Sequence, residues 1–446
     1  MSDAEIQPAH KRDARAAGSV VAGVMFQGVY VISQFVILAI LIREVGEERL
    51  GMWVTIYSMS MWLSVLLFGM DRVLMTTLGR VAFNQPAMAR RVILATTGIV
   101  LIGSSAAAIA IGVFGWSLPW AEQVLNVSSE IAVREATPTA VLAMLVTAVS
   151  IPLVLSGFVL QAYQRGATRH LLGIVSQLIG LGLLLLGAYL DWPLPWLGVA
   201  IVSPLLLGGA FQWVAVWWVW PGRGDGGAGE MEAEPLAGHL LKTGLGLWLA
   251  DVAIVLMLNS GAYVVAQAQS AAGVVPYGAV YRLVGPMFVC FVVIAHSYWP
   301  AIGDAAGAQD HKWIARALRH SMYLMAGVWL LGSAGCLLLG EPFIVLWLGE
   351  EARPGTPLIL AGLAFALAIG LYHLSVSALG GLGYIRVQAI VSVITLAVYC
   401  LVIWLSIGHI DAADVMLMQA AGIGMVGIIN GIYLVAKLRR TNGQAA

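Results

Sequence analysis

Long apolar runs, each closed by a short polar stretch, repeat along almost the whole chain. A helix rises about 1.5 Å per residue, so about 20 mainly apolar residues cross the roughly 30 Å hydrocarbon core of a bilayer. Runs of that kind fall at 17–42, 51–78, 92–118, 138–163, 170–190, 197–220, 242–269, 277–301, 321–340, 357–380, 387–406 and 415–436. They predict an all-α polytopic membrane protein with twelve transmembrane helices. An even number of spans puts both termini on one side.

Charge selects the side. Seventeen of the 23 Lys and Arg residues lie in one alternating set of loops and tails, from Lys11 and Arg12 through to Arg439 and Arg440. The opposite set holds Arg43, Arg49, Arg134 and Arg353, while Arg72 and Arg282 fall inside spans. Basic loops stay in the cytoplasm, so both termini are expected there. Only 10% of the residues are charged and 60% are apolar, against about 25% charged in a soluble domain. The zero net charge leaves no electrostatic footprint for a nucleic-acid partner. Cys290, Cys336 and Cys400 sit in apolar runs without metal or disulfide spacing, so they read as small buried hydrophobes and no metal site is expected. The polar first sixteen residues, followed by a long apolar run, do not read as a cleavable signal peptide.

The runs divide into a lobe over 1–220 and a lobe over 242–446. Between them, 221–241 reads as a cytoplasmic linker, rich in Gly and then in Glu230, Glu232 and Glu234. Before the fourth span stands Arg134-Glu-Ala-Thr137-Pro138, and before the tenth stands Arg353-Pro-Gly-Thr356-Pro357. Gly46 and Gly51 flank the turn into the second span as Gly273 and Gly278 flank the turn into the eighth. Matches at corresponding places predict a duplicated six-helix unit, and six spans per copy make the repeat parallel, with a pseudo-two-fold axis along the membrane normal. Two such lobes enclose a central cavity that rocking exposes to each side in turn. The longest expected outer loop, 119–137, is short for a membrane-bound polymerase or ligase. Glu44, Glu47 and Glu48 read as solvated turn charges beside Arg43 and Arg49 rather than as a catalytic pair, so no enzyme and no catalytic residue are expected.

Ionisable groups inside spans are costly and therefore informative. Asp71 and Arg72 in the second span suit either a cavity or gate role or a snorkelling arginine with a local partner. Asp251 in the seventh span, roughly 13 Å from the expected start of its helix, is too short to snorkel far and suits a cavity or a hydrogen bond between helices. Arg282 follows Tyr277 and adjoins Tyr281; it suits a phosphate or carboxylate near the outer mouth, or an interfacial anchor. His296 suits a packed, hydrogen-bonded histidine or a proton relay, and His373 a structural role. Trp62, Trp248 and Tyr263 lie within spans where sugar rings can stack. Gln27, Tyr30, Gln34, Asn259 and Gln267 can bind hydroxyls or bond between helices.

Val45-Gly-Glu-Glu-Arg-Leu-Gly51-Met-Trp53 with Phe68-Gly69-Met-Asp71 resembles the first hairpin of the polysaccharide transporter family. These are the O-antigen and exopolysaccharide flippases of the MOP superfamily. Gly273-Val-Val-Pro-Tyr277-Gly-Ala-Val-Tyr281-Arg282-Leu283, Trp299-Pro300-Ala301 and Phe343-Ile-Val-Leu-Trp347-Leu-Gly349 resemble its second half. The resemblance implies a MOP/MATE-like fold and a flippase for an undecaprenyl-diphosphate-linked oligosaccharide, working in a bacterial inner membrane. It implies membrane lipids and other glycan-assembly proteins as partners, and coupling by H+ or Na+ without a cofactor. Arg72 and Arg282 become candidates for the diphosphate or an acidic sugar, and Asp71, Asp251 and His296 for ion coupling or gating. Family members often carry an acid late in the seventh span, where this chain has Asn259-Ser260-Gly261. Two alternatives stand beside this reading: a MATE-like multidrug or cation exporter, and a non-transporting scaffold of a glycan-assembly complex.

Overall fold

The computed structural model describes residues 9–82, 85–220, 236–307 and 310–444. Apolar runs become helices because a helix satisfies its own backbone polar groups where no water can. In chain order these are α1 (Ala9–Val45), α2 (Glu47–Trp62), α3 (Met70–Val81), α4 (Pro86–Phe114), α5 (Glu130–Ala162), α6 (Gly166–Tyr189) and α7 (Leu194–Trp217). There follow α8 (Leu236–Asn259), α9 (Gly261–Ala268), α10 (Val274–Gly307), α11 (His311–Leu348), α12 (Thr356–Gly381), α13 (Ile385–Ser406) and α14 (Ala412–Gln444). Among the described residues, 11 helices are long and apolar enough to span a bilayer, and 12 when α8 and α9 count as one span bent by 41°.

Two expected spans are broken. The run 51–78 forms α2, a 3-10 segment Leu63–Leu67 and then α3. The run 242–269 forms α8 and α9, and α8 already begins at Leu236. Of the expected linker 221–241, residues 221–235 lie outside the described residues and 236–241 are helical. A third difference concerns the fourth span, whose helix starts at Glu130 rather than at Pro138. Thr137-Pro138 therefore lies inside α5, whereas Thr356-Pro357 opens α12. The cause is local. Glu48 accepts hydrogen bonds from the amides of Ser128 (2.6 Å) and Ser129 (3.2 Å), which starts α5 early.

The chain divides into two compact units. Unit 1 comprises Met1–Ile40, Leu63–Leu118 and Thr137–Leu245; unit 2 comprises Leu41–Trp62, Pro119–Ala136 and Gly246–Ala446. Within unit 1, Leu74, Leu78, Ile93, Leu160 and Val216 form a core shared by α3, α4, α5 and α7. Within unit 2, Ile302, Ile314, Leu379 and Leu434 join α10, α11, α12 and α14. Large apolar side chains also face outward, among them Ile102, Leu346 and Trp404, with Trp217 and Trp218 at the end of α7. Such faces would be a liability in water and are what lipid tails require. Three buried threonines are satisfied locally: Thr55, Thr96 and Thr147 donate to carbonyls four residues back at 3.0, 2.8 and 2.8 Å. Cys336 is buried, but Cys290 and Cys400 are exposed on apolar helix faces, so the buried reading holds for one of three.

Of the glutamates beside the turn into α2, Glu44 is exposed as a turn charge should be, whereas Glu48 is tied to Ser128 and Ser129. Arg49 grips Glu135 with Nε and Nη2 at 2.7 and 2.8 Å, both side chains mostly shielded. The later arginine, Arg353, pairs with Glu350 at 2.7 Å and Glu341 at 2.6 Å in the open, and its guanidinium holds the Glu350 carboxyl below the usual range. Arg134 pairs with Glu130 of its own helix at 2.9 Å.

Candidate functional site

Unit 1 carries the break in the second span. After the 3-10 segment, Phe68 and Gly69 both take left-handed backbone angles, φ 50° and 69°. For a bulky residue that conformation is strained. A Cβ on Gly69 would lie 2.5 Å from the carbonyl oxygen of Gly244 at the start of α8, so only glycine fits this crossing. The chain restarts as α3 with Asp71 in its first turn, where the positive end of the helix dipole favours a carboxylate. Asp71 lies in the field of Arg72 and of Arg169. Arg169, counted with the basic loops in the sequence, belongs to α6 and is half-buried. Its guanidinium lies 4.7 Å from the centre of the Phe158 ring and donates to Gln161, and its carbonyl accepts from Gln212 at 3.2 Å. Gln27 and Gln34, two turns apart in α1, are half-buried in the same unit.

Unit 2 carries the break in the seventh span. The last turn of a helix leaves carbonyls without intrahelical donors, and here α14 supplies one. Gln419 donates Nε2 to the carbonyls of Met257 (2.7 Å) and Leu258 (3.2 Å) and accepts from the Tyr277 hydroxyl at 2.7 Å. Ser260, at the break itself, bonds Tyr399 at 2.8 Å, and Asn259 turns back to the carbonyl of Val255 at 2.9 Å. Aromatic rings adjoin this network. Tyr277 and Tyr281 lie 6.4 Å apart, and Tyr281 contacts Phe288 and Phe365 at 5.7 Å each. Trp62 meets Tyr263 edge-on at 6.1 Å.

Trp62, Trp248, Asp251, Asn259, Tyr263, Tyr281 and Arg282 therefore belong to one unit, and Gln27, Gln34, Asp71 and Arg72 to the other. Asp251 lies about 22 Å along α8 from Leu236, farther from the helix start than expected because α8 begins earlier. Arg282 lies about 12 Å along α10 from Val274 and donates Nη1 to its own helix at Gly278, 3.2 Å away. The Gln267 side chain is engaged in structure, donating to the carbonyl of Val124 at 2.8 Å. The His296 side chain lies outside the described residues. Gln419, Tyr399, Ser260 and Arg169 were not singled out from the sequence. An amide within an otherwise apolar run was the available signal for Gln419.

No family model matches the sequence, and no curated protein matches it. Solved structures do share the fold. One is an inward-facing conformation of a multidrug resistance MATE family transporter of the MOP superfamily, with TM-score 0.71 and 15% identity, covering 93% of this chain and 96% of that one. A second is a MOP superfamily transporter from Pyrococcus furiosus, described by a reverse polarity of its binding pocket that suggests a different function. Its TM-score is 0.66 at 14% identity, covering 97% of this chain and 96% of the other. An outward-facing MATE family transporter gives 0.65 at 13% identity, with 96% of each chain covered. The chain has the MATE/MOP transporter fold.

Proposed function

We propose that this chain is a flippase that carries an undecaprenyl-diphosphate-linked oligosaccharide from the inner to the outer leaflet of a bacterial inner membrane by alternating access. One observation carries the reading most: Arg282 stands inside α10 next to the cluster of Tyr277, Tyr281, Phe288 and Phe365. A guanidinium stays charged even when desolvated, so a substrate passing it is favoured when it brings an anion. Aromatic faces beside it suit the apolar C–H faces of sugar rings. Arg72 in α3 is the corresponding cation of unit 1. In this scheme Asp71 and Asp251 couple transport to H+ or Na+, or gate it.

The test is affinity for a lipid-linked oligosaccharide across an Arg282 series, with correctly inserted protein quantified alongside. Arg282→Lys keeps the charge and loses the forked donor geometry; Arg282→Ala loses both. A charge-assisted contact of about 1.5–3 kcal/mol corresponds to roughly a ten- to hundredfold loss for Ala, with Lys between. Equal affinities across the series reject the diphosphate role and leave Arg282 as an anchor. A second prediction concerns Asp251, which stands within α8. Asp251→Asn should abolish ion-dependent transport while the protein still inserts and folds. Unchanged transport with unchanged pH and sodium dependence removes Asp251 from the mechanism.

A second reading, export of organic cations, is supported by the shared MATE fold and by the Trp62–Tyr263 pair, since aromatic faces attract cations. Binding of organic cations by protein that ignores the lipid-linked glycan would decide for it.

A further inference from the structure

Within unit 2, the segment between α4 and α5 is fastened on two sides. Trp120–Val124 forms a π-helical turn, and Asn126 follows with φ 49°. On one side the segment meets the end of α9. Asn126 donates Nδ2 to the carbonyls of Ala266 (3.1 Å) and Gln269 (3.4 Å), and its own carbonyl accepts from the Ala271 amide at 3.4 Å. Gln267 donates Nε2 to the carbonyl of Val124 at 2.8 Å. On the other side, Glu48 and Arg49 of α2 hold Ser128, Ser129 and Glu135. Leu125 and Val127 are buried between these two attachments.

The two attachments differ in kind. The α2 side has a forked ion pair and a carboxylate on three donors, and it joins neighbours in the first half of the sequence. The α9 side joins the first half of the sequence to the second through a few neutral amide–carbonyl bonds. Each such bond has a modest net worth, about 1 kcal/mol, so the second attachment can open while the first holds. It also supplies donors to the carbonyls that end α9, which would otherwise be left bare.

We infer that the Asn126–Gln267 attachment is a releasable latch that closes unit 2 at its arginine-poor end, with 119–129 as the strap and α9 as its catch. The inference rests on the transport reading in one respect: closure at this end alternates with opening. It does not depend on what is carried.

The test uses the full chain in lipid nanodiscs, with Cys290, Cys336 and Cys400 replaced and a single reporter, Val265→Cys, in α9. Val265 is fully buried and adjoins Ala266 and Gln267, which bond the strap, so labelling by a membrane-impermeant maleimide reports whether release of the strap exposes this turn of α9. Asn126→Ala combined with Gln267→Ala removes three side-chain bonds and should speed labelling about tenfold or more. Gln267→Glu alone, which keeps the size and sets a carboxylate against the Val124 carbonyl, should act in the same direction and covers the case in which the double variant fails to insert. General loosening is read separately from protein whose sole cysteine is the buried Cys336 of α11, where the rate should stay unchanged. Unaltered labelling at Val265→Cys, or an equal rise at Cys336, overturns the latch. Either result leaves the Arg282 affinity series standing, and failure of that series leaves the labelling result standing.

Discussion

Gln419→Leu should be among the most destabilising single substitutions in unit 2. Leucine fills a similar volume but returns no hydrogen bonds. The Tyr277 hydroxyl and the Met257 and Leu258 carbonyls then stay buried without this partner. Each unsatisfied buried group costs about 1–3 kcal/mol, so a total loss of about 3 kcal/mol or more is expected. Thermal unfolding in detergent should shift down by several degrees, while Tyr277→Phe, which removes one bond, should cost about 1 kcal/mol. Because the two residues share a bond, the double variant should be less destabilised than the sum of the singles. An unchanged melting temperature for Gln419→Leu would show that the network contributes nothing to holding the break in the seventh span, and strict additivity would show that the bond between Gln419 and Tyr277 contributes nothing.

A glycine series should separate two costs that one structure superimposes. Gly51→Ala is expected to be the severe member. Its Cβ would stand 1.6 Å from the Ala271 carbonyl oxygen and 2.6 Å from the carbonyl carbon. Both are backbone atoms, so relief requires shifting the α9–α10 junction itself. Overpacking of this kind costs about 1–3 kcal/mol, occasionally more. At Gly46, φ is 79° and nothing lies within 4 Å, so alanine there brings only the left-handed backbone penalty of about 1–2 kcal/mol. Gly98 is helical and open, and alanine should stabilise it by up to about 1 kcal/mol through helix propensity. Melting temperatures should rank Gly98→Ala highest, Gly46→Ala next and Gly51→Ala lowest. If Gly51→Ala melts with Gly98→Ala, the close approach of α2 to the α9–α10 turn is wrong.

Gly51 also shows how far the sequence could be read. Its place beside a turn was visible, and so was its counterpart Gly278 in the second half. That the residue faces a backbone carbonyl 220 positions later was not. The same holds for the acids near it. Glu48 and Arg49 looked like turn charges because nothing in their own stretch of sequence names Ser128, Ser129 or Glu135 as partners. The early start of α5 followed from those partners and was missed with them. For the breaks, the signals were present but ambiguous. Asn259-Ser260-Gly261 and Phe68-Gly69 are poor helix formers inside apolar runs, yet a bilayer span tolerates Gly and Ser when neighbouring groups re-satisfy its backbone.

The sequence by itself determined that the chain is all-helical, that it is built to span a membrane, and where nearly all of its spans lie. Those properties follow from local hydropathy: each segment must bury its own apolar surface and satisfy its own backbone, whatever its neighbours do. Only the tertiary structure decided where two spans break and which polar groups mend them. Gln419 reaches Tyr277 across 142 residues and Met257 across 162, and Asn126 reaches Ala266 across 140. A hydrogen bond of that reach depends on which helix faces pack together, and hydropathy is nearly blind to it because every apolar face can pack on several others.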